Sequence, residues 1–138
     1  SDTCQTMGSK MKISEYLENN RGVGILSTAS NDGEVNAAVY ARPHVVAPDK
    51  VAFIMRERLS RANIKQNSKA HYLFLEEGVK SKGIRLHLDM IEETDDPEVI
   101  SGLSRRERPS DDGERRYLVT FRVQKALSLL GGRELSIN

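Results

Sequence analysis

The chain has 138 residues, 38 % of them hydrophobic, enough for one domain with a modest core and too little for a second independent one. Its 21 Lys and Arg against 20 Asp and Glu leave a net charge of +1, which excludes a global field for nucleic acid or an anionic membrane, so any anion site must be local. The single Cys4 excludes an internal disulfide or Cys-rich metal framework and points to a reducing, cytoplasmic setting; nothing approaches the roughly 18 to 20 apolar residues of a membrane span, and the polar start lacks the apolar centre of a signal peptide.

Residues 1–11, small and polar, read as a flexible leader, and the domain is expected over residues 12–138. Ser14 is placed to cap a helix over about 14–20 that carries Tyr16 and Leu17 and stops at Asn19, Asn20 and Gly22. A short apolar strand, Val23 to Ala29, is followed by Asn31, Asp32 and Gly33, a strong hairpin signal. The returning strand, Glu34 to Arg42, sets Val35, Ala37, Val39 and Ala41 on one face and Asn36, Ala38, Tyr40 and Arg42 on the other, until Pro43 limits its pairing. After a loop marked by Pro48 and Asp49, Val51 to Met55 is the third strand, with Val51, Phe53 and Met55 on one face. Ser60 then stands as the cap of a helix of two turns at most, ending near Asn67.

A fourth strand is expected at Ala70 to Glu76 and a fifth at Ile84 to Met90, where apolar residues alternate with Arg85, His87 and Asp89. Pro97 after Asp95 and Asp96 opens a helix bearing Val99, Ile100 and Leu103. The charged stretch Ser104 to Arg116 reads as a mobile connection. It leads to a sixth strand, Tyr117 to Val123, and a tail with Leu127, Leu129, Leu130, Gly131 and Gly132. Six strands with short antiparallel connections and a few short helices predict a mainly β protein, a six-stranded antiparallel β-barrel.

Gly22, Gly24 and Ser27 imitate a dinucleotide fingerprint, but they follow a helix and enter a strand, the reverse of what that motif requires. His44, His71 and His87 are far apart in sequence and lack the spacing that puts two metal ligands on one helical face; no metal site is expected. No serine elbow or Cys with a paired His suggests a nucleophile. The acidic run Asp89 to Glu98 reads as a charged helix start. The strongest local signal is Arg56 to Asn63. Residues 56–69 hold Arg56, Arg58, Arg61, Lys65 and Lys69 against one acid, Glu57, and a guanidinium fork beside a helix start suits a phosphate. A solvated basic turn, with Ser60 as a plain cap, explains the same residues.

The order of elements, with Leu59-Ser60-Arg61-Ala62-Asn63-Ile64 opening a helix after the third strand, resembles the pyridoxamine 5′-phosphate oxidase-like family, and its small FMN-binding split-barrel members in particular. The resemblance covers about residues 12–130. It implies a split β-barrel of the FMN-binding type, a cytoplasmic homodimer with FMN at the interface, and an oxidoreductase acting on a small molecule or nicotinamide cofactor. It further implies that Ser60 and Arg61 hold the phosphate, Asn63 supports that turn, Ala38, Val39, Tyr40, Ala41 and Arg42 line the flavin, and Met55 and Arg56 flank the ring or phosphate. Ala62 stands where the oxidases have Lys, which removes one phosphate-binding charge, and no counterpart of the oxidases' C-terminal substrate-binding residues is found. Alternatives of the same fold are a deazaflavin or haem in place of FMN, or a non-catalytic flavin-binding or electron-carrier protein. Binding of nucleic acid is not expected, since the basic stretch is short and has no interleaved aromatics.

Overall fold

Alternation between buried and exposed side chains governs most of the chain. The computed structural model, which describes residues 13–56, 58–78, 82–103, 115–129 and 134–135, is accordingly one antiparallel sheet with three short helices. In chain order the elements are α1 (Ile13–Asn19), β1 (Gly22–Ala29), β2 (Val35–Val39), β3 (His44–Ala47), β4 (Lys50–Arg56), α2 (Leu59–Gln66), β5 (Lys69–Glu76), β6 (Gly83–Thr94), α3 (Pro97–Leu103), β7 (Arg116–Ser128) and β8 (Glu134–Leu135). The leader 1–11, residues 104–114 of the charged connection and the tail residues Leu130, Gly131 and Gly132 lie outside the described residues.

The six-stranded split β-barrel expected from the sequence is corrected in strand number and in closure. The sheet runs β2-β1-β5-β6-β7-β4-β3, seven strands along one path, with the two-residue β8 pairing off β7. It is open: β2 and β3 are its ends, and among the described residues no pairing joins them. Two strands are missing from the sequence reading: the two-residue β8, and β3, hidden because Pro43 and Pro48 bracket it and it is only four residues long. Pro43 also accounts for the opening. The Tyr40 N–H still bonds Gly24 O at 2.9 Å, but Pro43 has no N–H to give, and the chain crosses to pair with β4 instead.

Only residues 40–43 separate the two ends of the sheet in sequence, a span of about 18 Å at full extension. The sheet must therefore curl until its ends draw near. The core records that curl: Leu26 of β1, Phe53 and Met55 of β4, Tyr72 and Phe74 of β5, Leu86 of β6 and Phe121 of β7 form one buried cluster with Ile13 and Leu17 of α1 and Ile64 of α2. Phe53 and Tyr72 pack as a tilted ring pair, 5.2 Å between centroids, although β6 and β7 lie between their strands in the sheet. A smaller cluster, Ala52, Ile100 and Leu118, seats α3.

Local chemistry sets the element ends. Gly33, at φ +86°, supplies the left-handed residue of the β1–β2 turn, and Ser30 Oγ accepts from the N–H groups of Asp32 and Glu34 at 3.2 Å each. Asp96 Oδ1 accepts from Glu98 N at 3.0 Å to start α3 at Pro97, as the sequence predicts. Arg42 closes α1, donating from Nη1 to the carbonyls of Leu17 and, at 2.8 Å, Asn20, which satisfies acceptors that a helix end leaves open.

Candidate functional site

The parity of β2 decides which side chains face inward. Val35, Ala37 and Val39 are exposed, while Asn36, Ala38 and, just past the strand, Tyr40 are half-buried. On β4 the same parity sends Phe53 and Met55 into the core and leaves Ile54 and Arg56 half-buried on the other side. The chain then turns into α2, whose cap position is Arg58 in extended conformation with no side-chain cap bond. Ser60 is thus inside the helix rather than its cap, and its hydroxyl accepts from Asn36 Nδ2 at 3.3 Å.

These three pieces enclose a cleft of about 460 Å³. Ala38, Val39 and Tyr40 form one wall, Ile54 and Arg56 the other, and Arg58, Leu59 and Ser60 the end. The Tyr40 ring stands edge-on to Phe53 at 5.8 Å. Burial pushes its phenol above the ordinary value, opposed by a hydrogen bond with Ser60 and by the charge of Arg58. A smaller hollow of about 290 Å³, lined by Glu34, Val35, Asn36, Leu59 and Asn63, shares Asn36 and Leu59 with the cleft.

Of the residues singled out from the sequence, Ala38, Val39, Tyr40, Arg56 and Ser60 are brought together on this cleft. The others are placed elsewhere. Met55 is wholly buried in the core, because neighbours along a strand face opposite sides. Ala41 is exposed beyond the end of β2, and Arg42 serves the end of α1. Asn63, 3 % exposed, donates from Nδ2 to Thr28 Oγ1 at 3.1 Å and reaches only the smaller hollow. Arg61 is 6 % exposed; its Nε and Nη2 meet Glu93 Oε1 and Oε2 at 3.1 and 2.7 Å, and its guanidinium lies 3.4 Å over the Tyr117 ring. Arg58 and Leu59, which belong to the Arg56 to Asn63 stretch, also line the cleft, and Asn36 and Ile54 line it without having been assigned to it. For Asn36 and Ile54 the signal was parity, since each stands two residues from a lining side chain.

The histidines separate in space differently from their sequence spacing. His71 and His87 face each other across β5 and β6 with ring centroids 4.8 Å apart, while His44 lies on β3. Among the described residues no group of three or more His, Cys, Asp or Glu is placed to hold a metal ion. The acidic run is instead distributed: Asp89 bonds Ser68 and Lys69, Glu93 bonds Arg61, and Asp96 starts α3. None of the described helices is long and apolar enough to cross a membrane.

No family model and no curated protein matches the sequence. Solved structures do match. An FMN-binding protein from Syntrophomonas wolfei subsp. wolfei superposes with a TM-score of 0.75 at 20 % identity, over 94 % of this chain and 91 % of that one. An F420 reductase gives 0.64 at 20 %, over 84 % and 97 %. A Clostridium acetobutylicum protein related to general stress protein 26, of the pyridoxinephosphate oxidase family, gives 0.62 at 16 %, over 83 % and 84 %. The chain has the fold of the pyridoxamine 5′-phosphate oxidase-like proteins.

Proposed function

We propose that the chain is an FMN-binding flavoprotein, an oxidoreductase that acts on a small molecule or a nicotinamide cofactor as a cytoplasmic homodimer. The observation that carries this reading is the cleft itself, which has a flat strand wall at one side and arginine at the other. Ala38 keeps the β2 wall low enough for a planar ring to approach the backbone, and Arg56, Arg58 and Ser60 offer charge and a hydroxyl for a phosphate. At about 460 Å³ the cleft falls within the usual range of ligand pockets, roughly 300 to 1,000 Å³. Bound there, FMN would supply hydride and electron transfer. The chain's own part is to bind and orient. The Tyr40 phenol, protonated at neutral pH as any phenol is, lines the cleft, and Asn36 fixes the Ser60 hydroxyl.

Support for a second copy comes from the outer face of the sheet. Val35 and Val39 are 75 % and 76 % exposed, and the register continues from Val39 through Ile25 to Leu73, and from Val23 to Leu75, an apolar surface larger than scattered single residues provide. The test is a titration of the purified protein with FMN and with riboflavin, followed by flavin fluorescence. Tighter binding of FMN is expected; absence of binding overturns the reading. The likeness to an F420 reductase favours one second reading, a deazaflavin in the same cleft. The absorption spectrum of the copurifying chromophore separates the two.

A further inference from the structure

We propose that His71 and His87 form a binding site for a divalent transition-metal ion on the outer face of the sheet. Neither residue lines the cleft, and the site is independent of the FMN reading. A helix offers two ligands one turn apart in sequence; an antiparallel pair supplies them from neighbouring strands instead. His71 of β5 and His87 of β6 are directly opposite in register. Strand parity turns both away from the core, which Tyr72 and Phe74 of β5 and Leu86 and Leu88 of β6 help to fill. Their rings stand 4.8 Å apart between centroids with the planes at 88°. Among the described residues neither imidazole has a hydrogen-bond or ion-pair partner; they touch each other.

The spacing is that of a chelate. An ion held by imidazole nitrogens at about 2.0 to 2.1 Å lies roughly 3.2 Å from each ring centroid. Two rings set about 90° to 110° apart around it, the square-planar to tetrahedral range, then have centroids roughly 4.5 to 5.2 Å apart. The observed separation falls inside that window, so an ion asks for ring rotation and no movement of the strands. His87 is exposed and His71 half-buried, which leaves the other coordination positions to water. Imidazole suits copper, nickel and zinc, whereas magnesium and calcium take oxygen ligands. The row continues to Ser27 on β1 and Lys125 on β7, with Arg85 two residues from His87. Asp89, on the same face, is engaged by Ser68 and Lys69. Two cations therefore oppose the ion, and among the described residues no carboxylate completes its shell. With two of the four ligands of a structural zinc site, the affinity belongs in the micromolar range.

The experiment titrates the purified chain, with any flavin it carries, by calorimetry at neutral pH with copper(II), nickel(II), zinc and magnesium ions. Copper, nickel and zinc should bind at a site that needs both histidines, copper most tightly, and magnesium should not bind there. His71→Gln and His87→Gln should each weaken copper and nickel by about tenfold or more. Lys125→Glu, which sets a carboxylate opposite His87 in register, should tighten zinc by about tenfold. The electron paramagnetic resonance spectrum of the copper form should show two coupled nitrogens in wild type and one in either histidine variant. His87 is exposed, so His87→Gln keeps the fold even where His71→Gln loses stability, and melting temperatures without metal record this. Wild-type affinity retained in both histidine variants, as an ion held at Cys4 gives, overturns the site. So does copper affinity no better than millimolar in wild type, the result for a ring pair that only packs, or a single coupled nitrogen.

Discussion

Gly24 shows how one residue permits the packing around the cleft. A Cβ at this position would lie 1.9 Å from the Tyr72 hydroxyl and 2.7 Å from Tyr40 O, two atoms that are themselves hydrogen-bonded at 3.2 Å. The glycine that imitated a nucleotide motif in the sequence is therefore required by close approach of a tyrosine. Gly24→Ala is expected to cost about 2 to 3 kcal/mol by overpacking, and Tyr72→Phe about 1 kcal/mol for the lost hydrogen bond. The double variant should cost less than the sum, because the hydroxyl is the first atom the new methyl meets; urea unfolding of the three variants measures the coupling, and strict additivity would count against this contact. At this scale the site was partly legible. Strand parity alone puts Asn36, Ala38 and Tyr40 together and separates Met55 from Arg56. The burial of Arg61 was not legible, because Glu93 lies 32 residues away in sequence, and only the folded sheet brings Glu93 and Tyr117 to the same guanidinium.

Among the elements, the β5–β6 pair carries a titratable device. His71 and His87 are directly opposite one another, with Ser27 of β1 and Lys125 of β7 completing the row and Arg85 two residues along β6. Burial first, then the charges of His87 and Arg85, hold His71 below its ordinary 6.5. The folded protein therefore resists a proton that the unfolded chain accepts. Stability should be at its full value above pH 6.5, fall as the pH drops from there through the folded-state pKa, and level off below it. His71→Gln should flatten that part of the profile, measured as melting temperature from pH 7.5 to 5; an unchanged difference between pH 7 and 5.5 would exclude His71 as its source. Most elements were legible from alternation and turn chemistry, with boundaries within a few residues for the early strands and α3. The exceptions have physical causes. β6 and β7 run past their expected ends, to Thr94 and Ser128, because their pairing continues through register shifts at His87/Leu88 and Met90/Glu92 that interrupt simple alternation. Openness of the sheet depends on which edges pair, a long-range property that local pattern does not contain.

For the whole molecule, the curled sheet leaves one face wrapped around the core and the opposite face of β2, β1 and β5 apolar and uncovered. A single domain this size gains little from displaying Val23, Val35, Val39 and Leu75 to water, and burying them against a second copy recovers that apolar area. Val23 tests this cleanly: it is 51 % exposed, faces Leu75 in register, and lies outside the cleft. Val23→Glu should leave the fold nearly unchanged, as surface substitutions usually do within about 0.5 kcal/mol. It should weaken self-association by about tenfold or more, since an unpaired carboxylate would have to be desolvated in the contact. Val46→Glu on β3, also exposed but at the other end of the sheet, is the control and should leave association unchanged. Sedimentation velocity across micromolar concentrations reads both. A wild-type monomer throughout would overturn the second copy, and equal association of wild type and Val23→Glu would place the contact surface elsewhere. A monomeric Val23→Glu that also loses FMN affinity would make the bound flavin dependent on the second chain, since Val23 does not line the cleft.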